Sequence, residues 1–263
     1  KLKLTKDSLA FRGKADLDFN GTSLDNFLGT ARVTDAEILK NGSRLPFDSL
    51  IVAAEYAEGI KTLRASSNEF RGTISGDYSL KDLPAAFSYL LNKYYPAYVK
   101  APKRMPRNQE ISFDIETYYV DEYLQLIDKS LMGFNNTRLK GNLNLAKNEL
   151  NLTAGVPQFK YNGYNFDNVT ITAVGNADSL LLSGKTSNIR INDSLSIPQA
   201  LFRISSRNDS SKVSIFTGAS QGVEKADLNA LVLTYHDGVK IEFDPSTFTI
   251  NSKVWTIDEN GEL

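Results

Sequence analysis

The chain has 263 residues, with 30 Lys+Arg against 31 Asp+Glu, one His and no Cys. A net charge of -1 leaves no basic excess for neutralising nucleic-acid phosphates. The lack of Cys excludes a thiol nucleophile, a thiolate metal site and a disulfide framework. A single His gives no His pair for zinc, whereas 41% hydrophobic residues suffice for a sizeable core.

The dominant pattern is period-two alternation broken by short polar turns, the mark of half-buried strands. Leu2 and Leu4 share one parity; after a turn at Lys6-Asp7-Ser8 the apolar set becomes Leu9, Phe11, Ala15, Leu17 and Phe19. Asp16-Leu17-Asp18-Phe19-Asn20-Gly21 opens like a calcium loop, but Phe27 stands where the closing Glu belongs, so a strand entering a turn is expected. Ser23–Leu28 reads as a single turn. Asp82 precedes an amphipathic stripe of Leu83, Phe87, Leu90, Leu91 and Tyr94, with Pro84 in its first turn and Pro96 past its end. This predicts a helix over 83–94 capped by Asp82. Lys100–Arg107, with Pro102 and Pro106, reads as a solvated extended connection, with binding of phosphate head groups as the sharper alternative. A second helix is expected over Val120–Leu131, with Leu124, Ile127 and Leu131 on one side.

Hairpin parity switches follow. Leu139, Leu143 and Leu145 face Leu150, Leu152, Ala154 and Val156 across Lys147-Asn148-Glu149. Val169, Ile171 and Ala173 answer Leu180 and Leu182, and Leu228, Ala230 and Val232 answer Val239, Ile241 and Phe243 across a turn containing Asp237-Gly238. A short internal repeat accompanies them. Asn41-Gly42 and Phe47-Asp48-Ser49-Leu50 recur as Asn162-Gly163 and Phe166-Asp167-Asn168-Val169, and Ser66-Ser67-Asn68 recurs as Thr186-Ser187-Asn188. Phe11-Arg12-Gly13 recurs as Phe70-Arg71-Gly72. Such echoes suggest a stacked or solenoid-like array.

Motifs for chemistry are incomplete. Gly184-Lys185-Thr186 lacks its upstream Gly, which is Ser179, and there is no G-x-S-x-G elbow to partner His236. Asp114/Glu116 and Glu242/Asp244 stand at strand spacing two, the geometry of a carboxylate pair but also of a wet strand face. Near eighteen strands with two or three short helices must cover an apolar face. A two-sheet sandwich does so, and so does a curled sheet filled by something else; periodicity does not choose between them. No apolar run reaches the roughly 18 residues of a membrane span. No signal segment follows Lys1, so the chain is expected to be an interior piece with any anchor outside it.

Three stretches, Leu45-Pro46-Phe47-Asp48-Ser49-Leu50, Leu63-Arg64-Ala65-Ser66-Ser67-Asn68 and Gly72-Thr73-Ile74-Ser75-Gly76-Asp77-Tyr78, precede the Leu83-Pro84 helix and Tyr94-Tyr95-Pro96. Together with Leu195-Ser196-Ile197-Pro198 and Val239–Ile257, including Phe243, Phe248 and Asn251–Trp255, this order resembles the TamB (translocation and assembly module) proteins of the bacterial envelope, within the AsmA-like group. The resemblance implies an all-β, elongated, curled antiparallel sheet of β-taco type with a hydrophobic interior, in a periplasmic protein anchored in the inner membrane. It implies no catalysis and no cofactor or metal. The expected function is guiding phospholipid, or assisting outer-membrane protein assembly and secretion. Phospholipid acyl chains are the expected partners, with a TamA-like outer-membrane barrel engaged through parts outside this chain. The expected organisation is a first unit over 1–100, a basic linker over 101–110 and a continuous second unit over 111–263. By alternation alone the groove would be lined by Leu143, Leu145, Leu150, Leu152, Val169, Ile171, Leu180, Leu182, Val239, Ile241 and Phe243. The alternatives are a β-sandwich adhesion or carbohydrate-binding module, stacking sugars on Tyr118-Tyr119 or Tyr161/Tyr164, and a hydrolase using the paired carboxylates.

Overall fold

The computed structural model describes residues 9–23, 25–40, 43–125, 128–193, 196–218 and 225–258. Leu2, Leu4, the Lys6-Asp7-Ser8 turn, Asn41-Gly42, Ile127 and Leu195 lie outside them. The elements in chain order are β1 (Leu9–Asn20), β2 (Leu28–Lys40), β3 (Ser43–Ala57), β4 (Ile60–Ser67), β5 (Phe70–Asp77), α1 (Leu83–Tyr94), β6 (Glu110–Thr117), α2 (Asp121–Gln125), β7 (Leu131–Gly133), β8 (Arg138–Asn144) and β9 (Glu149–Tyr161). They continue as β10 (Tyr164–Gly175), β11 (Leu180–Arg190), β12 (Ser196–Arg207), β13 (Ser210–Thr217), β14 (Lys225–Thr234), β15 (Val239–Phe243), β16 (Ser246–Ile250) and β17 (Lys253–Ile257).

Among the described residues, seventeen strands form one antiparallel sheet that does not close on itself. It is a meander. β1 to β6 pair in succession, β6 pairs with β8, and β8 to β14 follow in order. β7 pairs with the far half of β9, beyond the stretch that β8 occupies. β15 and β16 share one flank of β14, and β17 pairs with β16. The sandwich alternative needs a second sheet, and among the described residues every strand is in this one. The basic stretch after α1 does not interrupt the sheet, because β5 and β6 pair along their full length.

Local chemistry sets the turns. Glu58-Gly59, Asn162-Gly163, Asn208-Asp209 and Asn251-Ser252 have positive φ at both positions, the mirror-image turn whose twist matches a right-handed hairpin. The Asp237-Gly238 turn is wider, closed by Tyr235 N–H donating to the Gly238 carbonyl at 2.8 Å.

Register aligns the apolar residues of successive strands into rows. One row runs Phe19–Gly29–Ala54–Leu63–Ile74–Phe113–Gly141 and continues Leu152–Ala173–Leu182–Ile204–Val213–Ala230–Phe243. A second, two residues further along each strand, runs Leu17–Ala31–Val52–Ala65–Gly72–Ile115–Leu139 and then Ala154–Ile171–Gly184–Phe202–Ile215–Leu228. No polar residue interrupts either row. The opposite face carries Thr73–Asp114–Lys140–Thr153–Thr172–Ser183–Arg203–Ser214–Asn229, so the wet and dry faces are separated residue by residue.

At one end of the strands the inner face is covered by α1. Ala86, Leu90 and Tyr94 are fully buried and pack with Tyr78, Ile111, Leu143, Leu145 and Leu150 into the one buried hydrophobic cluster among the described residues. Asp82 occupies the N-cap, but its side chain makes no capping bond; its N–H instead donates to Ser79 Oγ at 3.3 Å. The flanks of α1 are tethered to distant hairpins. Leu80 N–H donates to Asp25 in the β1–β2 loop at 2.6 Å, and Asp209 N–H in the β12–β13 turn donates to the Tyr94 carbonyl at 2.8 Å. The helix of 12 residues is about 18 Å long, whereas nine inter-strand steps from β2 to β12 would span roughly 43 Å on a flat sheet. The sheet therefore curls around the helix.

The second expected helix is shorter than the sequence suggests. α2 ends at Gln125, and Leu131 begins β7, because pairing with β9 supplies the backbone bonds that a longer helix would have made internally. α2 sits at the other end of the strands, where the Tyr123 hydroxyl donates to the Pro46 carbonyl at 2.6 Å and the Phe47 ring meets Tyr123 edge-on. Burial first, then Glu69, push the Tyr123 phenol up to about 12.

The α1 anchor is open to test. The Tyr94 hydroxyl donates to the Asn176 carbonyl at 2.7 Å, in a space that Gly175 leaves open: a Cβ there would stand 2.7 Å from that hydroxyl. Tyr94→Phe should lower stability by about 1 kcal/mol, and Leu90→Ala by about 2–5 kcal/mol. Both are read as shifts of the urea midpoint at unchanged slope.

Candidate apolar groove

Away from α1 the inner face is not sealed. Leu152, Ile171, Leu182 and Ile204 are half-buried, and Leu17 and Ile215 are 57% and 37% exposed. Among the described residues no second layer covers the middle of this single curled sheet, which leaves an apolar groove.

The sequence-derived lining residues divide by their place in it. Leu143, Leu145 and Leu150 lie beneath α1, with exposures of 1%, 5% and 6%, and Leu180 packs against the same cluster. They form the sealed end rather than the open wall. Leu152, Ile171, Leu182 and Phe243 stand in the two apolar rows. Ile241 pairs with Val232 one row nearer the α1 end, and Val239 is exposed at the start of β15. Val169 is 5% exposed and sits at a corner of the wall.

That corner explains the sequence repeat. Within β10 the apolar positions step by three from Phe166 to Val169, with Asn168 at φ 49 between them. Val33 to Ala36 in β2 and Ile197 to Ala200 in β12 step likewise around Asp35 (φ 51) and Gln199 (φ 52). A left-handed residue inside a strand rotates the chain and shifts which parity faces inward. The repeated words hold these corners: Asn68 Nδ2 donates to Asp48 at 2.8 Å, and Asn188 Nδ2 donates to Asp167 at 3.2 Å. Phe-Asp on one strand and Ser-Asn after it are thus two halves of one hydrogen bond, made once between β3 and the end of β4 and again between β10 and β11. The Phe-Arg-Gly echo has no such meaning. Gly13 lies at a register shift, whereas Gly72 pairs regularly with Ala65 and Ile115.

Two glycines keep the wall smooth. Phe113 faces Gly141, and Phe202 faces Gly184. A Cβ on Gly141 would lie 2.5 Å from the Phe113 ring and one on Gly184 2.1 Å from the Phe202 ring, so each ring lies over its neighbour's bare backbone. Cross-strand aromatic cover of glycine is a known device of curved sheets. Alternation in Ile111-Ser112-Phe113-Asp114-Ile115 was the available signal for this part of the wall, which the lining set read from sequence omits.

The polar candidates stand apart from the groove. Asp114, on the outer face, pairs with Lys140 at 2.8 Å and Arg138 at 3.2 Å. Hydrogen bonding from Lys140 first, helped by the Arg138 hydrogen bond and the two positive charges, holds its carboxyl below the ordinary range against desolvation, which suits a fixed anion rather than a proton donor. Glu116 pairs with Arg71, and Glu242 with Lys240 at 3.0 Å. His236 is exposed in the β14–β15 turn, as are Tyr119, Tyr161 and Tyr164 at their own positions. Among the described residues there is no group of three or more His, Cys, Asp or Glu able to hold a metal ion, and no helix long and apolar enough to cross a membrane. Comparison with family models, curated proteins and solved structures gives no match.

Beside α1, Asp25 fixes the corner where the β1–β2 loop meets the helix. Burial pushes its carboxyl up, but hydrogen bonds from the Ser79 hydroxyl and the Leu80 and Lys81 amides, with the nearby Lys61 charge, outweigh it and hold the pKa below 3.8. This contribution is complete above the unfolded value of 3.8 and is lost as pH falls through the lower folded value. Asp25→Asn should therefore cost about 1–3 kcal/mol at pH 7, with the gap to wild type closing as denaturation is repeated below pH 3.8. Gly141→Ala should cost about 1–3 kcal/mol, because both the Phe113 ring and the Asn151 carbonyl, 2.5 Å from the added carbon, must give way; chemical denaturation measures it.

Proposed function

We propose that the protein is a non-enzymatic conduit segment that holds acyl chains on its apolar inner face. The observation that carries this reading is the first row, apolar at every position from β1 to β15 yet only half-buried at Leu152, Leu182, Ile204 and Val213, beyond the stretch packed against α1. A closed core would bury such a row, and a solvated sheet face would interrupt it with charge. Each methylene laid on the row gains about 0.8 kcal/mol on leaving water, so a lipid tail meets a continuous favourable path running from strand to strand. The resemblance to TamB-like envelope proteins points the same way. It supports a periplasmic setting in which the segment guides phospholipid or assists outer-membrane protein assembly, with a TamA-like barrel engaged by parts outside this chain. Neither catalysis nor a cofactor enters this reading.

Position-specific photo-crosslinking tests it. A crosslinker at Leu152 or Leu182 should capture phospholipid from cell-envelope material, whereas Asn151, on the outer face, should not. Leu150 provides a sharper contrast: it shares the inner face but lies under α1, and should capture only helix residues. Equal lipid capture at Leu152 and Asn151, or none at Leu152, would refute the conduit.

A further inference from the structure

Next to the sealed end, the β1–β2 loop, the β3–β4 turn and the segment between β5 and α1 enclose a cavity of about 430 Å³ that includes Asp25, Leu28, Tyr56, Lys61, Asp77 and Arg107 in its lining. Its central cation is unexpected. The inner row that passes beneath α1 runs Tyr56–Lys61–Gly76–Ile111–Leu143–Leu150–Gly175–Leu180, and across this row and the two apolar rows Lys61 is the one charged side chain. It is only 8% exposed, and the nearby Asp25 charge offsets part of the cost of burying its ammonium. Its Nζ donates to the Asp25 carbonyl at 2.5 Å and stands 5.4 Å from the centre of the Tyr78 ring. Arg107 lies at the same cavity, 3.1 Å from Asp77.

We propose, building on the acyl-chain reading above, that this cavity receives the head group of a zwitterionic phospholipid, a phosphate diester carrying an ammonium, whose tail lies on the apolar rows. Lys61 and Arg107 donate to the phosphate oxygens. Asp77, 76% exposed at its side chain, turns from Arg107 to the incoming ammonium. The Asp25 carboxylate is already engaged by the Ser79 hydroxyl at 2.9 Å and Leu80 N–H at 2.6 Å, so it holds the loop in place rather than the ligand. Two cations balanced by two carboxylates suit a head group bearing both signs and disfavour one with net negative charge. Reach agrees with this assignment. Leu63, the next inward residue on β4 after Lys61, stands in the first apolar row about 7 Å along the strand, half-buried at the edge of the α1 cluster, so a head group on Lys61 delivers its first methylenes to the start of that row.

The test measures binding of single-chain lipids to the purified protein below their micelle concentrations, using lysophosphatidylethanolamine, lysophosphatidylglycerol and hexadecanol. Wild type should bind the ethanolamine lipid more tightly than the glycerol lipid. Lys61→Met should weaken binding of lysophosphatidylethanolamine about tenfold, the loss of one charge-assisted contact, and leave hexadecanol unchanged. Asp77→Asn should abolish the preference between the two head groups. Because Lys61 is buried, Arg107→Gln at an exposed position is the parallel variant, expected to weaken the phospholipids and not the alcohol. Hexadecanol binding with phospholipid affinities indifferent to both cation variants would overturn the head-group site and leave the groove standing. Equal affinity for the two lysolipids in wild type would overturn the zwitterionic assignment, and no binding of hexadecanol would overturn the groove itself and this site with it.

Discussion

Everything in this molecule depends on register. Alternation by itself only says that each strand has a dry side; it is the pairing of Leu63 with Ile74, Ile74 with Phe113, and so on across the sheet that joins those sides into continuous rows. A slip of one residue in any hairpin would break both apolar rows at that strand and place polar side chains in them. The tight turns guard against such a slip: two-residue connections with both positions left-handed admit little variation in pairing.

Against that background α1 acts as a fixed stop. Its apolar stripe satisfies the inner face at one end, and its polar tethers reach hairpins far apart along the meander, which makes the helix a gauge of how tightly the sheet curls. The corners formed at Asp35, Asn168 and Gln199 add sharper bends, the first two flanked by Asn–Asp side-chain hydrogen bonds. Curvature thus has two sources, a brace at one end of the strands and kinks within them. Neither requires a second sheet.

Much of this was legible beforehand. The parity switches around Leu143/Leu152 and Val169/Leu182 gave the hairpins, and the Leu83–Tyr94 stripe gave α1, because both are local patterns. What failed to show was non-local. Alternation placed Leu143, Leu145 and Leu150 on the inner face but could not say that α1 would cover them, since helix and hairpin are distant in sequence. Leu131 matched a helical spacing and went instead to β7, where β9 had a free edge to pair. The Phe-Asp and Ser-Asn words were visible as repeats, yet their meaning needed the two strands side by side. Lys61, on the parity of Leu63 and Ala65, was a signal available in the sequence, a charge set into a dry face, and it is the one around which the polar cavity is built.

The flattened rings over Gly141 and Gly184 bear on motion. A molecule that slides along a surface is slowed by corrugation, the difference between its best and worst seats along the way, more than by how firmly it is held on average. Phenyl rings standing upright from the wall would divide the path into separate wells with ridges between them. Folded down onto bare backbone, they leave the wall with little relief, so that a flexible hydrocarbon laid on this face would meet broad contact and only low ridges from one strand to the next.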